Sequence, residues 1–258
     1  MKILLIAGHG GTPYDSGAVG NGYTEAVETR RMATAVAPLL RQYGFDVSIY
    51  DQSQDAYKVV TQGGSIPLSG IDYVMEFHLN SAANDLKGNG KTTGSEIFVH
   101  VNEAGIGVEQ AILKRLQALG FTNRGVKRSS GLAVLKHVYK RGVSHALIET
   151  CFIDDKDDME LYKTKFYEIA HAIADGVAEG FGVAKEEPEL TETEIREIIR
   201  DEINKNKADV AAQPASEWHA SDWDAAKKAG LLDGTRPRSP LTREEFSTVL
   251  QRCGLIGK

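Results

Sequence analysis

The segment Lys2–Ala7 (KILLIA) is apolar along nearly its whole length and is closed by Gly8. A strand that meets water on one side alternates apolar and polar residues. A run without alternation is buried on both faces, as in parallel sheets that carry helices on each side. A glycine-dense loop follows from Gly8 to Gly22. Beyond it, Ala33, Val36, Leu40 and Tyr43 recur at spacings of three and four, the stripe of an amphipathic helix that runs from Glu25 and ends before Gly44. Phe45 to Tyr50 then supplies a second strand.

Helix-like sequence at Ala56 to Thr61 leads into Ile71 to Asn80. There Ile71, Tyr73, Met75, Phe77 and Leu79 alternate with Asp72, Val74, Glu76, His78 and Asn80, so one face of this strand is chemically loaded. A strand at Ser95 to Val101, a helix at Ala104 to Leu119, a strand at Ala146 to Glu149 and one long helix near Asp157 to Phe181 follow. The order β-α-β-α-β-β-α-β-α predicts an α/β fold for residues 1–182, with a mostly parallel twisted sheet and helices on both faces.

Composition changes after Gly182. Residues 183–213 are almost all charged or helix-forming, which predicts a helical linker. Thr191 or Thr193 can cap its start, and Ile195, Ile198, Ile199 and Ile203 form one narrow apolar stripe. Such a stripe serves either as a docking edge or as a short coiled coil that would make a homo-oligomer. Residues 214–258 hold both tryptophans and read as helix, Gly turn, loop and helix, a small helical C-terminal domain.

The charge balance excludes some partners. The net charge is −6, shared between 18 basic against 21 acidic residues in 1–183 and 12 against 15 beyond, so no basic patch for nucleic acid is expected. No stretch reaches the roughly 20 apolar residues that span a bilayer, and no membrane association is expected. The first apolar run, six residues long, reads as a strand and not as a signal peptide. Cys151 and Cys253 lie far apart, which is neither a disulfide framework nor a cysteine zinc module.

Three residues of the main domain converge. His9 follows the first strand, Glu25 opens the next helix and His78 ends a later strand. In open parallel sheets the ligand crevice lies beyond the carboxyl ends of the strands, so all three can reach one place. Two imidazoles and a carboxylate are a catalytic zinc ligand set, which leaves a fourth position for water. Such an ion lowers the pKa of its water to about 7 and polarises a carbonyl. Glu149, at the end of another strand, can take the proton and pass it to a departing amine, so the reaction class is amide hydrolysis. Singly, each residue also has a plain reading. A His beside a glycine turn serves as polar surface, and Glu25 as a helix-start carboxylate, with Glu28 one turn on as an alternative ligand. Glu76 is a candidate partner for His78 or half of an ion pair. His100, His137, His145, His171 and His219 read as structural or solvated.

The segments IAGHGG, SGAVGNGYTEAVETRRMATAVAPLL, YVMEFHLNSA, GSEIFVH and ALIETCFIDDKDD occur in that order. Together they resemble the zinc-dependent N-acetylmuramoyl-L-alanine amidases, which cut the muramoyl–L-alanine amide of peptidoglycan. The resemblance covers residues 1–182 and implies one Zn2+ per chain held by His9, Glu25 and His78, with Glu149 catalytic. Thr29 stands where the family usually has Asn. With no leader-like start, the expectation is a phage endolysin held in the host cytoplasm until lysis. The other readings are a non-catalytic wall-binding protein and a zinc peptidoglycan peptidase.

The C-terminal sequences DWDAAKKAGLLDGT and SPLTREEF partly resemble surface-layer homology repeats, which implies binding to the cell wall or to a secondary wall polymer. Trp218 and Trp223 are the candidate wall-binding residues; the alternative is that they fill the core of a small helical hairpin.

Overall fold

The computed structural model describes residues 1–11, 15–184, 196–197, 199–201, 203–204, 207–208, 220–233, 235, 238 and 243–255. The chain divides into two compact units, residues 1–186 and 187–258.

The first unit is built on strands β1 (Lys2–Ala7), β4 (Asp46–Ile49), β5 (Tyr73–Asn80), β6 (Ser95–His100), β7 (Asn123–Ser129) and β8 (Ser144–Phe152). Their order across the sheet is β4-β1-β5-β8-β6-β7. Neighbours pair in parallel except β6 with β8, so the fold is α/β with a mostly parallel sheet. A two-residue hairpin, β2 (Val19–Gly20) with β3 (Tyr23–Thr24), stands in the loop after β1.

Helices cover the two faces unequally. One face receives α1 (Glu25–Arg41), α3 (Gly107–Leu119) and α6 (Phe166–Phe181), whose apolar residues join Ile3, Leu5, Met75, Phe77 and Ile148 in a single core. Contact is close where α3 crosses α6: a Cβ on Gly176 would lie 2.7 Å from Cα of Ile112, and one on Gly180 2.4 Å from Cα of Val108. The other face receives the short helices α2 (Ala56–Thr61) and α4 (Ala133–Tyr139) over Leu4, Ile6 and Val74.

Several sequence expectations need correction. The single helix near Asp157 to Phe181 is two, α5 (Lys156–Thr164) and α6, broken at Lys165, whose φ of −117° and ψ of 29° leave helical geometry. Asp155 sets the start of α5 by accepting the Asp158 amide at 3.0 Å. The strand expected at Ala146 to Glu149 extends to Ser144–Phe152. Strand β7 and helix α4 were not anticipated. The sequence of β7, NRGVKRS, lies on a sheet edge and has no buried residue, so it carries no apolar period.

In the second unit, α7 (Ala220–Lys228) and α8 (Arg243–Arg252) are helical. Arg252 reaches the carbonyls of Gly230 and Leu231, both at 3.4 Å. Trp223 is half-buried on α7, while Ile199 and Ile203 are about half exposed. Trp218, His219, Thr191, Thr193, Ile195 and Ile198 lie outside the described residues. None of the described helices is long and apolar enough to cross a membrane.

Candidate metal centre and active site

The site grows from the carboxyl ends of β1, β5 and β8. Strand β1 delivers His9 on a backbone with φ of 63°, the left-handed region that non-glycine residues rarely adopt. Three contacts hold it there. The Thr29 hydroxyl donates to the Gly8 carbonyl at 2.9 Å, and Arg30 donates to the carbonyls of His9 at 2.9 Å and Gln52 at 3.0 and 2.9 Å. Thr29 and Arg30 both sit on α1, one turn after Glu25, so the helix that carries one candidate ligand also fixes the loop that carries another.

His9, Glu25 and His78 meet. The Glu25 Oε1 oxygen lies 3.0 Å from His9 Nε2 and 2.9 Å from His78 Nδ1, and the ring centroids of the two histidines are 5.0 Å apart. One ligand atom from each of the three falls within 4.8 Å of the others. Glycine is required at two flanking positions: a Cβ on Gly8 would strike the His78 ring at 2.4 Å, and one on Gly17 would strike His9 and Glu25 at 2.6 and 2.7 Å. Glu28, the alternative ligand, turns instead to Arg31 at 3.2 Å.

Each imidazole has a carboxylate behind it. His9 Nδ1 lies 3.0 Å from Asp15 Oδ2, and His78 Nε2 lies 3.2 Å from Glu76 Oε1. Glu76 in turn lies 3.3 Å from Nε2 of the buried His145. A carboxylate behind a metal-binding imidazole fixes its tautomer and raises its basicity. Sequence pattern signalled Glu76, two residues from His78 on the same strand face. Asp15 and His145 gave no such signal, because loop spacing and a separate strand bring them in.

The electrostatics are those of a cation site. Burial acts to lower the His9 pKa, but the hydrogen bond and charge of Glu25 outweigh it and the pKa is raised. His78 is raised well above its ordinary value in the same way, against burial, by Glu25 and Glu76. Burial would raise the Glu25 pKa, yet the two imidazoles hold it far below the usual carboxylate range. Positive charge is therefore favoured between these three side chains, as at a site that holds a divalent ion. Two nitrogens and one oxygen, each nitrogen backed by a carboxylate, fit zinc.

Glu149 stands apart from this trio, in register with His78 on the adjacent strand and with Glu96 on the other side. Its Oε2 oxygen is buried without a hydrogen-bond partner among the described residues. Burial first, then the charges of Glu25, Glu96 and Glu76, outweigh the attraction of His78 and push its pKa up to about 7. The β5–β8 pairing slips just beyond this point, Asn80 meeting Phe152, a bulge of the kind that re-aims side chains at sites. A cleft of about 290 Å³ opens beside the imidazoles, lined by Tyr57, Leu132 and Val134 among others.

Comparison with known proteins assigns the domain to a family. The sequence profile of the N-acetylmuramoyl-L-alanine amidase family matches residues 3–179. The chain belongs to the N-acetylmuramoyl-L-alanine amidase family. Its first unit is the catalytic domain of that family, which indicates peptidoglycan amidase activity. Among solved structures, it is similar to the catalytic domain of the CD27L endolysin targeting Clostridia difficile, at 28% identity over 69% of this chain and 97% of that one, with a TM-score of 0.55. Two others share the fold at lower identity. The amidase AmiC2 of Nostoc punctiforme is 21% identical over 70% of this chain and 97% of its own, TM-score 0.56. The catalytic domain of CwlV from Bacillus (Paenibacillus) polymyxa var. colistinus is 23% identical over 71% and 100%, TM-score 0.56. No curated protein matches the chain.

Proposed function

We propose that this amidase is zinc-dependent, hydrolyses the amide between N-acetylmuramic acid and L-alanine, and serves as a phage endolysin. The observation that carries the zinc reading is the meeting of His9, Glu25 and His78 on one point, with Asp15 and Glu76 behind the imidazoles. These three would hold the ion. When bound, the ion supplies Lewis acidity toward the scissile carbonyl and lowers the pKa of a water.

The remaining chemistry belongs to the chain. Glu149 accepts a proton from the attacking water and returns it to the departing alanine nitrogen, so both transfers pass through one carboxyl. A pKa near 7 suits a group that must serve first as base and then as acid. A divalent ion nearby lowers it and favours the base form before attack. Asp15 and Glu76 hold the two rings in the tautomers that leave His9 Nε2 and His78 Nδ1 free to bind.

The endolysin role draws on the likeness to the CD27L catalytic domain, and with it goes residence in the host cytoplasm until lysis. In the second unit, Trp223 is offered as a wall-binding residue, together with Trp218 from the sequence. Ile199 and Ile203 are offered as the edge through which copies associate, since both stand about half exposed.

Mass analysis of purified peptidoglycan, digested by the full chain with and without chelator, tests the central claim. New L-alanine amino termini should appear, disappear with chelator and return with zinc. Full activity in chelator removes the zinc reading, and newly exposed interior residues of the stem would make the enzyme a peptidase instead.

A further inference from the structure

We infer that the departing stem peptide runs from Glu149 across β6 to β7, and that Arg124, beside Lys127, recognises a carboxylate on it. This rests on the zinc-amidase reading above, because it takes Glu149 as the group that protonates the leaving amine.

The sheet order fixes the direction. His9 follows β1, His78 lies on β5, Glu149 on β8, Glu96 on β6, and Arg124 and Lys127 on β7, in that spatial sequence. A proton can pass only to a nitrogen within reach of Glu149, so the amine half of the amide lies on the β8 side of the ligand trio. The acyl half then lies toward β1, over the part of the cleft lined by His9, Asp15 and Tyr57.

Beyond Glu149 the next groups on this face are a carboxylate with two cations. Glu96, opposite Glu149 in the β6–β8 ladder, is buried and receives Asn80 Nδ2 at 2.8 Å, Arg124 Nε at 2.7 Å and Lys127 Nζ at 2.6 Å. One carboxylate against two cations leaves an excess of one positive charge. Arg124 contacts Glu96 through Nε alone, its two terminal nitrogens having no hydrogen-bond partner among the described residues. The guanidinium lies 4.8 Å over the Phe152 ring, which orients it, and its side chain is 35% exposed. An oriented guanidinium with free donors fits a carboxylate. Two strand spacings of about 4.8 Å separate β8 from β7, and extended peptide advances about 3.4 Å per residue, so the carboxylate met there lies on the second or third residue after the cut.

The test uses the full chain with its metal removed by chelator, so that binding is read without turnover. The probes are the tripeptide L-Ala-γ-D-Glu-L-Lys and the same peptide with both carboxylates amidated, titrated by NMR. Amidation should weaken binding about tenfold, the scale of one charge-assisted hydrogen bond. In Arg124→Met, where Lys127 still neutralises Glu96, the acid and the amide should bind alike. Equal affinity of the two peptides for the unaltered chain overturns the inference, whether or not the variant folds. So does an amidation penalty undiminished in Arg124→Met, or failure of both peptides to bind. Loss of the zinc-amidase reading would appear separately, in the chelator-controlled digestion of peptidoglycan.

Discussion

The two faces of the central sheet were given different tasks. Among the described residues, the face under α1, α3 and α6 contributes to a core of 33 buried apolar residues, while the face under α2 and α4 has one of eight. The same strands serve both: in β5, Met75, Phe77 and Leu79 enter the large core, and Glu76, His78 and Asn80 point the other way into the site. Because side chains alternate along a strand, one face can be spent on packing and the other can carry charge. Thin cover on that face is what leaves the cleft open beside the imidazoles.

This division predicts that changes on the two faces should fail differently. Glu149→Gln should lower hydrolysis of purified peptidoglycan by about 10²- to 10⁴-fold, the usual share of a general acid–base group, while metal content stays one per chain. Retained turnover would break the comparison at its most consequential residue. On the packed face, Ile173→Ala should cost about 2–5 kcal/mol in denaturant unfolding, since its side chain has no exposed surface and leaves a cavity. The rate per folded molecule should be unchanged; a matching loss in rate would mean that the faces are not separable.

Smaller effects sharpen the division. Asp15→Asn should weaken zinc binding about 10- to 100-fold, read by competition with a chromogenic chelator, because it loosens His9 without removing a ligand. A further effect is a pH dependence of the metal-free protein. Glu149 has its pKa raised in the folded state, from 4.5 to about 7, so its contribution to stability is fully present below 4.5 and is lost as pH rises through about 7. Chelated Glu149→Gln should therefore be more stable than the chelated parent at pH 8 and should gain nothing at pH 4. Equal unfolding midpoints at pH 8 would mean that Glu149 does not bear the cost of its burial.

Much of this was legible in the chain. The uninterrupted apolar run of β1, the three–four stripe of α1 and the alternation in β5 each reported a burial pattern that local sequence alone imposes. The expected ligand residues followed from their places at strand and helix ends, and the structure brings His9, Glu25 and His78 together. What could not be read was a matter of edges and partners. Strand β7 is polar because it lies at the rim, so no period marks it, and with it were missed Arg124 and Lys127. The break at Lys165 was hidden because residues on both sides keep a helical apolar pattern.

Sequence by itself determined most of the strands and helices, though not β7, α4 or the break between α5 and α6, which of their faces are apolar, and that two imidazoles and two carboxylates stand at their ends. Hydrophobic burial and hydrogen-bond periodicity act over a few residues, so the chain states them locally. Tertiary structure decided that Glu28 turns away from the histidines, that Asp15 backs one of them, and that Glu149 Oε2 has no hydrogen-bond partner among the described residues. The ligand contacts depend on distances of about 3 Å between residues as many as 53 positions apart, and only the assembled sheet sets such distances.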